Sequence, residues 1–340
     1  MDAAMRRGDT SRGRSSLFRP VPVPALPPST ALADLAMTAH DHAWLAGTTG
    51  VFTSRPSAPL VLRWTGDAWT EEHLPRLPAA ASLAGISAAA PDDVWAVGNS
   101  AGRPLVLHYD GHRWRTVPTP AIPWAKAVAA VAPDDVHVVG TGSDTLHWDG
   151  RRWTRTTALT SPRETLHTVT ATAPHDVWAG GGGVAGAGPA GYEYPVLVHY
   201  DGTGWSDLPG PRLDHGHVAR LAAAAPDDLW LGHRHGADGL HVHRFDGRRW
   251  HAVPPPADAE RLSVHGVAAG WTWGVRATRR SFETRAAYHR WTGDDWAAVP
   301  LPDDVARASA SHVGLATDGR TTWAYLKTAT GVRVLRHTAS

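Results

Sequence analysis

Short apolar runs, separated by turns rich in Gly, Pro and Asp, recur along most of the chain. One run reads "APDDVWAVG" at 90–98 and returns as "APDDVHVVG" at 132–140, "APHDVWAGG" at 173–181 and "APDDLWLGH" at 225–233. A second module, such as "LHYDGHRW" at 107–114, follows each copy. The runs favour strands, and Asp-Gly suits a tight hairpin because Gly tolerates positive φ. The pattern therefore predicts short antiparallel strands joined by tight turns.

The two modules recur with a period of roughly 40 to 52 residues, which is typical of propellers and solenoids. Each unit holds four extended runs, which we name strands a to d from the inside outward, and four antiparallel strands make one propeller blade. The strand-b aromatic position occurs seven times, at Trp44, Trp95, His137, Trp178, Trp230, Trp273 and Trp323. The strand-d position occurs only six times, at Trp69, Trp114, Trp153, Trp205, Trp250 and Trp296.

The N-terminal stretch "SLFRPVPVPALP" at 16–27 is similar to "HRWRTVPTPAIP" at 112–123, which ends a unit. Phe18 takes the place of the strand-d Trp, and it precedes Leu35 by 17 residues (35 − 18). We therefore predict that this stretch supplies the missing strand d of the seventh unit. Residues 1–15 match no strand and are expected to form a disordered tail, which leaves 16–340 as a single domain.

The "PDDVWAVG…HYDGxxW" pattern resembles the Trp-rich repeats of bacterial seven-bladed β-propellers of the WD40-like, YVTN-like or Kelch-like type. The resemblance covers roughly residues 16–340. It implies an all-β, seven-bladed propeller with four antiparallel strands per blade, closed by the N-terminal strand. It implies no activity, because propellers host binders, scaffolds, lyases and oxidoreductases alike.

The two ends of such a propeller differ in how regular their loops are. The c–d turns have one length in all six copies, whereas the b–c span runs from 11 residues (His137 to Trp148) to 22 (Trp178 to Tyr200). We call the end with the b–c and d–a connections the varied face and the end with the a–b and c–d turns the uniform face. Function is expected at the varied face, because variable loops on a rigid scaffold usually carry it.

Three aromatic residues outside the repeat are candidate ligand contacts at the varied face. Trp124 lies just before the inner strand of the third unit, where an exposed ring would be a binding platform. Tyr192 and Tyr194 lie in the long b–c loop of the fourth unit at 180–195, whose stem "GGGG" at 180–183 is Gly-rich. That stem predicts either a mobile lid or a disordered insertion.

Four histidines, one in each of four consecutive units, lie near the start of the inner strand: His167, His217, His265 and His312. Imidazoles that converge on a channel suit a divalent metal such as zinc, and they also suit iron, copper and nickel. The alternative is that they line a polar, water-filled channel. By contrast, His108, His147 and His199 share one strand-c position with Arg in other units, which predicts a structural bond to a neighbouring blade.

Composition excludes several classes of function. The chain has 33 basic and 32 acidic side chains, a net charge of +1, which favours neither nucleic acid nor membrane as a partner. It has no cysteine, so disulfides and thiolate sites are excluded. The Gly run lacks the Lys-Ser/Thr of a phosphate loop, so no nucleotide cofactor is expected. No long apolar run follows the basic N-terminus, which predicts a cytoplasmic location.

Three functions fit these features. The first is a metal-dependent enzyme acting on a small molecule or peptide beneath the aromatic rim, with Glu164, Asp214 and Glu260 as candidate general bases. Lyase-, cyclase- or oxygenase-like chemistry would suit it, by architectural analogy with streptogramin lyases and carotenoid-cleaving oxygenases. The second is a non-catalytic propeller that binds a peptide or sugar at the same face. The third is a scaffold that binds a protein through "RATRRSFETR" at 276–285. The sequence favours the first slightly.

Overall fold

The structure is a computed structural model that describes residues 18–338 except 40, 41, 55, 160, 187–190, 208, 209, 212, 214, 235–239, 257–261, 269 and 278–283. In chain order, the strands up to residue 157 are β1 (Arg19–Val21), β2 (Ala31–Ala39), β3 (His42–Thr49), β4 (Ala58–Trp64), β5 (Trp69–Glu71), β6 (Ser82–Ala90), β7 (Asp93–Ser100), β8 (Arg103–Tyr109), β9 (Trp114–Thr116), β10 (Trp124–Ala132), β11 (Asp135–Thr141), β12 (Asp144–Trp148) and β13 (Trp153–Thr157).

The remaining strands are β14 (Glu164–Ala173), β15 (Asp176–Ala185), β16 (Tyr192–Tyr200), β17 (Trp205–Asp207), β18 (His217–Ala225), β19 (Asp228–Arg234), β20 (Leu240–Phe245), β21 (Trp250–Val253), β22 (Leu262–Ala268), β23 (Trp271–Ala277), β24 (Thr284–Trp291), β25 (Trp296–Ala298), β26 (Ala310–Thr317), β27 (Thr321–Thr328) and β28 (Gly331–Thr338). A short helix, α1 (Asp303–Arg307), precedes β26. Within the described residues, no helix combines the length and the apolar character needed to span a bilayer.

The strands form antiparallel meanders in which each strand pairs with the next. Four-stranded sheets are made by β2–β5, by β6–β9, by β18–β21, by β22–β25, and by β26–β28 together with β1. A further sheet of eight strands contains two such meanders, β10–β13 and β14–β17, which are joined by one residue pair, Thr141 and Thr165. The predicted all-β architecture is confirmed.

The N-terminal strand β1 lies on the outer edge of the sheet that ends the chain. It pairs antiparallel with β28, with Arg19 opposite Arg336. Phe18, directly before β1, is buried, and its ring centre lies 5.3 Å from that of Tyr288 and 5.9 Å from that of Trp271. The first described residues are therefore held by residues from the last third of the chain.

The inner strands contact one another in order. Contacts run from β2 to β6, β10, β14, β18, β22 and β26 in turn, and β26 contacts β2. Between these strands, Nη2 of Arg220 on β18 lies 3.0 Å from Oδ1 of Asp34 on β2. This ion pair lines both a cavity of about 430 Å³, which also touches Leu32 near the start of β2, and one of about 240 Å³, which also touches Met37 near its end. It therefore lies between the two cavities.

Tryptophan packing explains why the repeat keeps its aromatic positions. The strand-d Trp of one meander contacts the strand-b Trp of the preceding one. Ring centres lie 5.5 Å apart for Trp153 and Trp95, and 5.9 Å apart for Trp296 and Trp230. A buried Trp removes a large apolar area from water, so these pairs hold neighbouring sheets together.

The c–d turns use the Asp-Gly chemistry that the sequence predicts. In one of them, Oδ1 of Asp110 accepts hydrogen bonds from the backbone N–H groups of His112 and Arg113. Gly111 between them has a φ of 84°, a conformation that other residues adopt only with strain. Equal turn chemistry gives equal turn lengths, which keeps the uniform face regular.

Candidate binding face

Exposed apolar side chains lie at one end of the molecule. Among the residues described, large hydrophobic side chains are exposed at Phe52, Trp124, Val184 and Tyr192. Phe52 lies in the b–c loop after β3, Val184 and Tyr192 lie in the b–c hairpin of β15 and β16, and Trp124 starts β10. Single exposed apolar side chains are ordinary on protein surfaces. The restriction of these four side chains to the varied face is unusual, and it marks that face as a candidate interaction surface.

Trp124 is half exposed, at 49%, on a fixed backbone. It pairs with Thr141 of β11. The next residue, Ala125, is held at both backbone groups by the buried side chain of Asn99: its N–H donates to Oδ1 at 3.0 Å, and its C=O accepts from Nδ2 at 2.9 Å. This role of Asn99 could not be predicted from the sequence, because its partner lies on the neighbouring sheet. The Trp124 ring is therefore presented to solvent from a rigid position.

The Gly-rich stem at 180–183 is a strand, and the predicted lid or disordered insertion is not what its described residues form. β15 and β16 pair without interruption from Val177 opposite Tyr200 to Ala185 opposite Tyr192. The glycines make room for neighbours. A Cβ on Gly182 would lie 2.7 Å from Cβ of His217, and one on Gly183 would overlap the ring of Tyr194.

Glu164 and Tyr194 form a bonded pair at the start of β14. The Tyr194 hydroxyl donates to Oε1 of Glu164 at 2.8 Å, and the Ser161 N–H donates to Oε2 at 3.2 Å. Glu164 is buried, and burial together with the bond to Glu164 raises the pKa of Tyr194. Glu164 thus fixes Tyr194 in place. The other two predicted bases, Asp214 and Glu260, lie outside the described residues.

Two of the four predicted metal ligands come together. The ring centres of His167 and His217 lie 5.3 Å apart, and Nδ1 of His217 lies 3.1 Å from Oε2 of Glu193. Burial, with Lys126 and His217 nearby, lowers the pKa of His167 to about 4, so its imidazole is neutral at neutral pH. The four-histidine metal centre stays a prediction.

The other two predicted ligands are placed differently. His312 lines the 430 Å³ cavity beside Arg220 and Tyr325. His265 belongs to β22, and its side chain lies outside the described residues.

A different group gathers metal-ligating side chains near the uniform face. Asp135, His137 and His147 each offer one donor atom, and these atoms lie within 4.8 Å of one another. The repeat pattern predicts a bond from His147 to a neighbouring blade, but Nε2 of His147 lies 2.6 Å from Oδ1 of Asp135 in its own meander. His199 likewise bonds Asp176 in its own meander, at 2.8 Å. The repeat hid this group, because each of its members also fills a regular structural position.

Comparisons with known proteins identify the architecture. No family model matches the chain, and no curated protein matches it. Among solved structures, YCF48 bound to D1 peptide is 13% identical with a TM-score of 0.61, covering 95% of this chain and 97% of that one. The β-propeller domain of the Trilobed protease from Pyrococcus furiosus is 9% identical with a TM-score of 0.58, covering 92% and 96%. The chain is a β-propeller. YCF48 from Cyanidioschyzon merolae, 15% identical with a TM-score of 0.58 and coverage of 94% and 98%, agrees.

The propeller fold explains how the candidate residues reach one rim. Trp124, Glu164 and His217 are the first residues of β10, β14 and β18, three consecutive inner strands. Inner strands of a propeller start at the varied face, so these side chains stand at its inner edge. Tyr192 and Glu193 join them from the hairpin of β15 and β16. We call this set the rim: Trp124, Glu164, Tyr192, Glu193, Tyr194 and His217.

Proposed function

We propose that the propeller binds an extended peptide segment across the rim at its varied face. The observation that carries the proposal is the restriction of exposed large apolar side chains, among the described residues, to that face. Aromatic rings offer a large contact area at a low cost in side-chain entropy, and Trp and Tyr commonly anchor protein interfaces. Of the three functions that the sequence predicts, the exposed rings therefore favour the non-catalytic propeller that binds a peptide.

The proposal includes a ring of seven blades within a single domain at 16–340. The eight-stranded sheet counts as two blades, and β1 completes the blade that contains β26–β28. The contacts that run through all the inner strands and back to β2 support this count. A closed ring holds the rim residues of three adjacent blades at fixed distances, which preorganises the surface for a ligand.

Polar groups beside the aromatic rings favour a peptide over an apolar small molecule. Glu193 and His217 are both accessible and hydrogen-bonded to each other, so they can exchange that bond for backbone or side-chain groups of a ligand. The Trp124 and Tyr192 rings are each about half exposed, which suits a ligand lying over the rim. A propeller of similar extent, YCF48, has been solved bound to D1 peptide, which supports the same class of ligand here.

The metal-dependent enzyme is the second candidate, and the closeness of His167 and His217 favours it. In that function, zinc, iron, copper or nickel would be held by histidines at the channel mouth, with Glu164 as the described candidate base. The bond from Tyr194 already occupies Glu164, which favours binding over catalysis. A scaffold role through 276–285, a cytoplasmic location and a bacterial source stay predictions.

Selection of peptides from a displayed library tests the function. We expect peptides that bind the parent protein and that lose at least tenfold in affinity, about 1.4 kcal/mol, with Trp124→Ala or Tyr192→Ala. Neither change should alter the midpoint of urea unfolding. His112→Ala, an exposed residue of the uniform face, is the matched control and should leave binding unchanged.

Two outcomes would contradict peptide binding at the rim. One is that no displayed peptide is enriched on the parent protein. The other is that the enriched peptides bind the Trp124→Ala, Tyr192→Ala double variant as tightly as they bind the parent.

A further inference from the structure

Three side chains of the third blade meet in one group, which we call the Asp135 cluster: Asp135 and His137 on β11, and His147 on β12. Oδ1 of Asp135 lies 2.6 Å from Nε2 of His147 and 3.0 Å from Nε2 of His137. The two imidazole rings stack, with centres 4.4 Å apart and planes at 13°. One carboxylate and two imidazole nitrogens therefore face a common point.

Equivalent positions in the neighbouring blades show that the cluster departs from the repeat. In the second blade, Nε1 of Trp95 donates to Asp93 at 2.7 Å, and in the fourth blade Nε1 of Trp178 donates to Asp176 at 2.8 Å. His137 stands where the other strand-b copies have Trp. Within the described residues, only the third blade brings two imidazoles to this carboxylate.

The hydrogen bonding of the cluster is incomplete within the described part of the chain. His137 is 1% exposed, and neither of its ring nitrogens makes a hydrogen bond of normal geometry there. Oδ2 of Asp135 also lacks a hydrogen-bond partner among the described residues. A buried polar atom left without a partner destabilises the folded state. A Trp at position 137 would avoid this destabilisation, because its Nε1 could donate to the carboxylate as in the neighbouring blades. The presence of a histidine there therefore needs another explanation.

The donor types of the cluster suit a metal ion of the zinc type. Such ions bind imidazole nitrogen and carboxylate oxygen, and the cluster presents two of the first and one of the second within 4.8 Å of one another.

We propose that the Asp135 cluster binds a divalent metal ion of the zinc type through Nε2 of His137, Nε2 of His147 and the carboxylate of Asp135, with water as the fourth ligand. Tetrahedral zinc bonds of about 2.0–2.1 Å place neighbouring donors roughly 3.3 Å apart, so the Asp135 oxygen needs to move away from the two imidazole nitrogens by less than about 1 Å. The His147 side chain is 25% exposed, which gives the ion and its water a route from solvent.

The position of the cluster gives the metal a structural role. The ring of Tyr200, on the fourth blade, lies 5.1 Å from that of His137 and 5.8 Å from that of His147. An ion that fixes the two imidazoles also fixes the surface against which the fourth blade packs. Because the cluster belongs to the uniform-face end of β11, this site is independent of peptide binding at the rim.

Metal titration of the untagged full-length protein tests the proposal. After addition of zinc and gel filtration, mass spectrometry should find about one equivalent more zinc in the parent than in His137→Trp, which restores the residue of the other blades. Cobalt should give the visible absorption of a tetrahedral ion in the parent alone. Zinc should raise the melting temperature of the parent and leave that of His137→Trp unchanged.

Two further variants complete the test. His147→Arg, which places the residue of four other blades in strand c, should lower zinc affinity on the order of 100-fold. His199→Arg makes the same change in the fourth blade, where Trp178 takes the place of the second imidazole, and should leave zinc binding at the parent value. Equal zinc content in the parent, His137→Trp and His147→Arg would overturn the proposal, as would a parent that binds no zinc.

Discussion

Two histidines, His243 and His289, stand in strand c where the other blades have Leu or Val. His243 is half-buried between Leu231 and Ala252 of the adjacent strands. Burial, with His233 and His241 adding to the effect, lowers its pKa from 6.5 to about 4. A residue that breaks the repeat at an apolar position therefore makes the blade sensitive to acid.

His243→Leu should make the protein less sensitive to acid. Unfolded His243 takes up a proton near pH 6.5 and folded His243 only near pH 4, so its neutral form favours folding fully above pH 6.5. That contribution is lost as the pH falls from about 6.5 to about 4. Urea unfolding across this range should give a shallower fall in unfolding free energy for His243→Leu than for the parent. An unchanged pH dependence would contradict the prediction.

Individual residues differ in how far the sequence could predict them. Trp124 was predictable as an exposed platform, because it falls outside every repeat position. The partner of His147 was not, because the repeat shows that a position is kept but not which strand its side chain faces. Asn99 gave no signal at all, since its bonds to Ala125 cross between two sheets.

At the scale of elements, the hairpin of β15 and β16 carries the rim tyrosines on β16, which pairs with the glycine-rich strand β15. Its four glycines suggest flexibility when read as sequence, because Gly has little preference for regular structure. The structure gives a different reason for them, since Gly182 and Gly183 lie directly beneath His217 and Tyr194. The length of the hairpin was predictable from the b–c spacing, and its pairing was not.

Gly183→Ala should destabilise this hairpin. The added methyl overlaps the Tyr194 ring, so the ring must move and its hydrogen bond to Glu164 is lost. We expect a loss of about 1–3 kcal/mol of unfolding free energy, measured by urea unfolding. Gly204→Ala is the matched control, because a Cβ there meets no atom within 4 Å. Equal stability of the two variants would mean that Gly183 is not kept for packing.

At the scale of the whole molecule, the fold was more predictable than the site. The repeat predicts the meanders, the tryptophan positions and the two unlike faces, because the pattern behind each of them occurs several times in the chain. The residues of the site do not recur, and they lie on loops whose sequences follow no period. Candidate metal ligands at the site could not be chosen reliably from 21 histidines, since sequence spacing does not give side-chain direction at the irregular start of a strand.

Two truncations at the N-terminus should distinguish the contribution of residues 1–15 to stability from that of the outer strand β1. Deleting residues 1–15 should leave the melting temperature nearly unchanged. Deleting 1–27 removes β1, exposes the edge of β28 and empties the site of the Phe18 ring, whose loss alone costs about 3–5 kcal/mol. Thermal unfolding and gel filtration should show a large loss of stability or aggregation. If both truncated proteins melt alike, β1 does not complete the blade.

The pairing of β1 with β28 also sets the order of events during synthesis. β1 leaves the ribosome first among the described strands, and its partner leaves last. At 5–20 residues per second, about 15 to 60 s pass before the two can meet. A nascent strand that is unpaired for this long can pair with the wrong chain, and proline disfavours such pairing because it lacks an N–H donor. Pro20, Pro22 and Pro24 occupy alternate positions in and after β1, so they remove N–H donors from one edge of the strand and leave only the other edge fully able to pair.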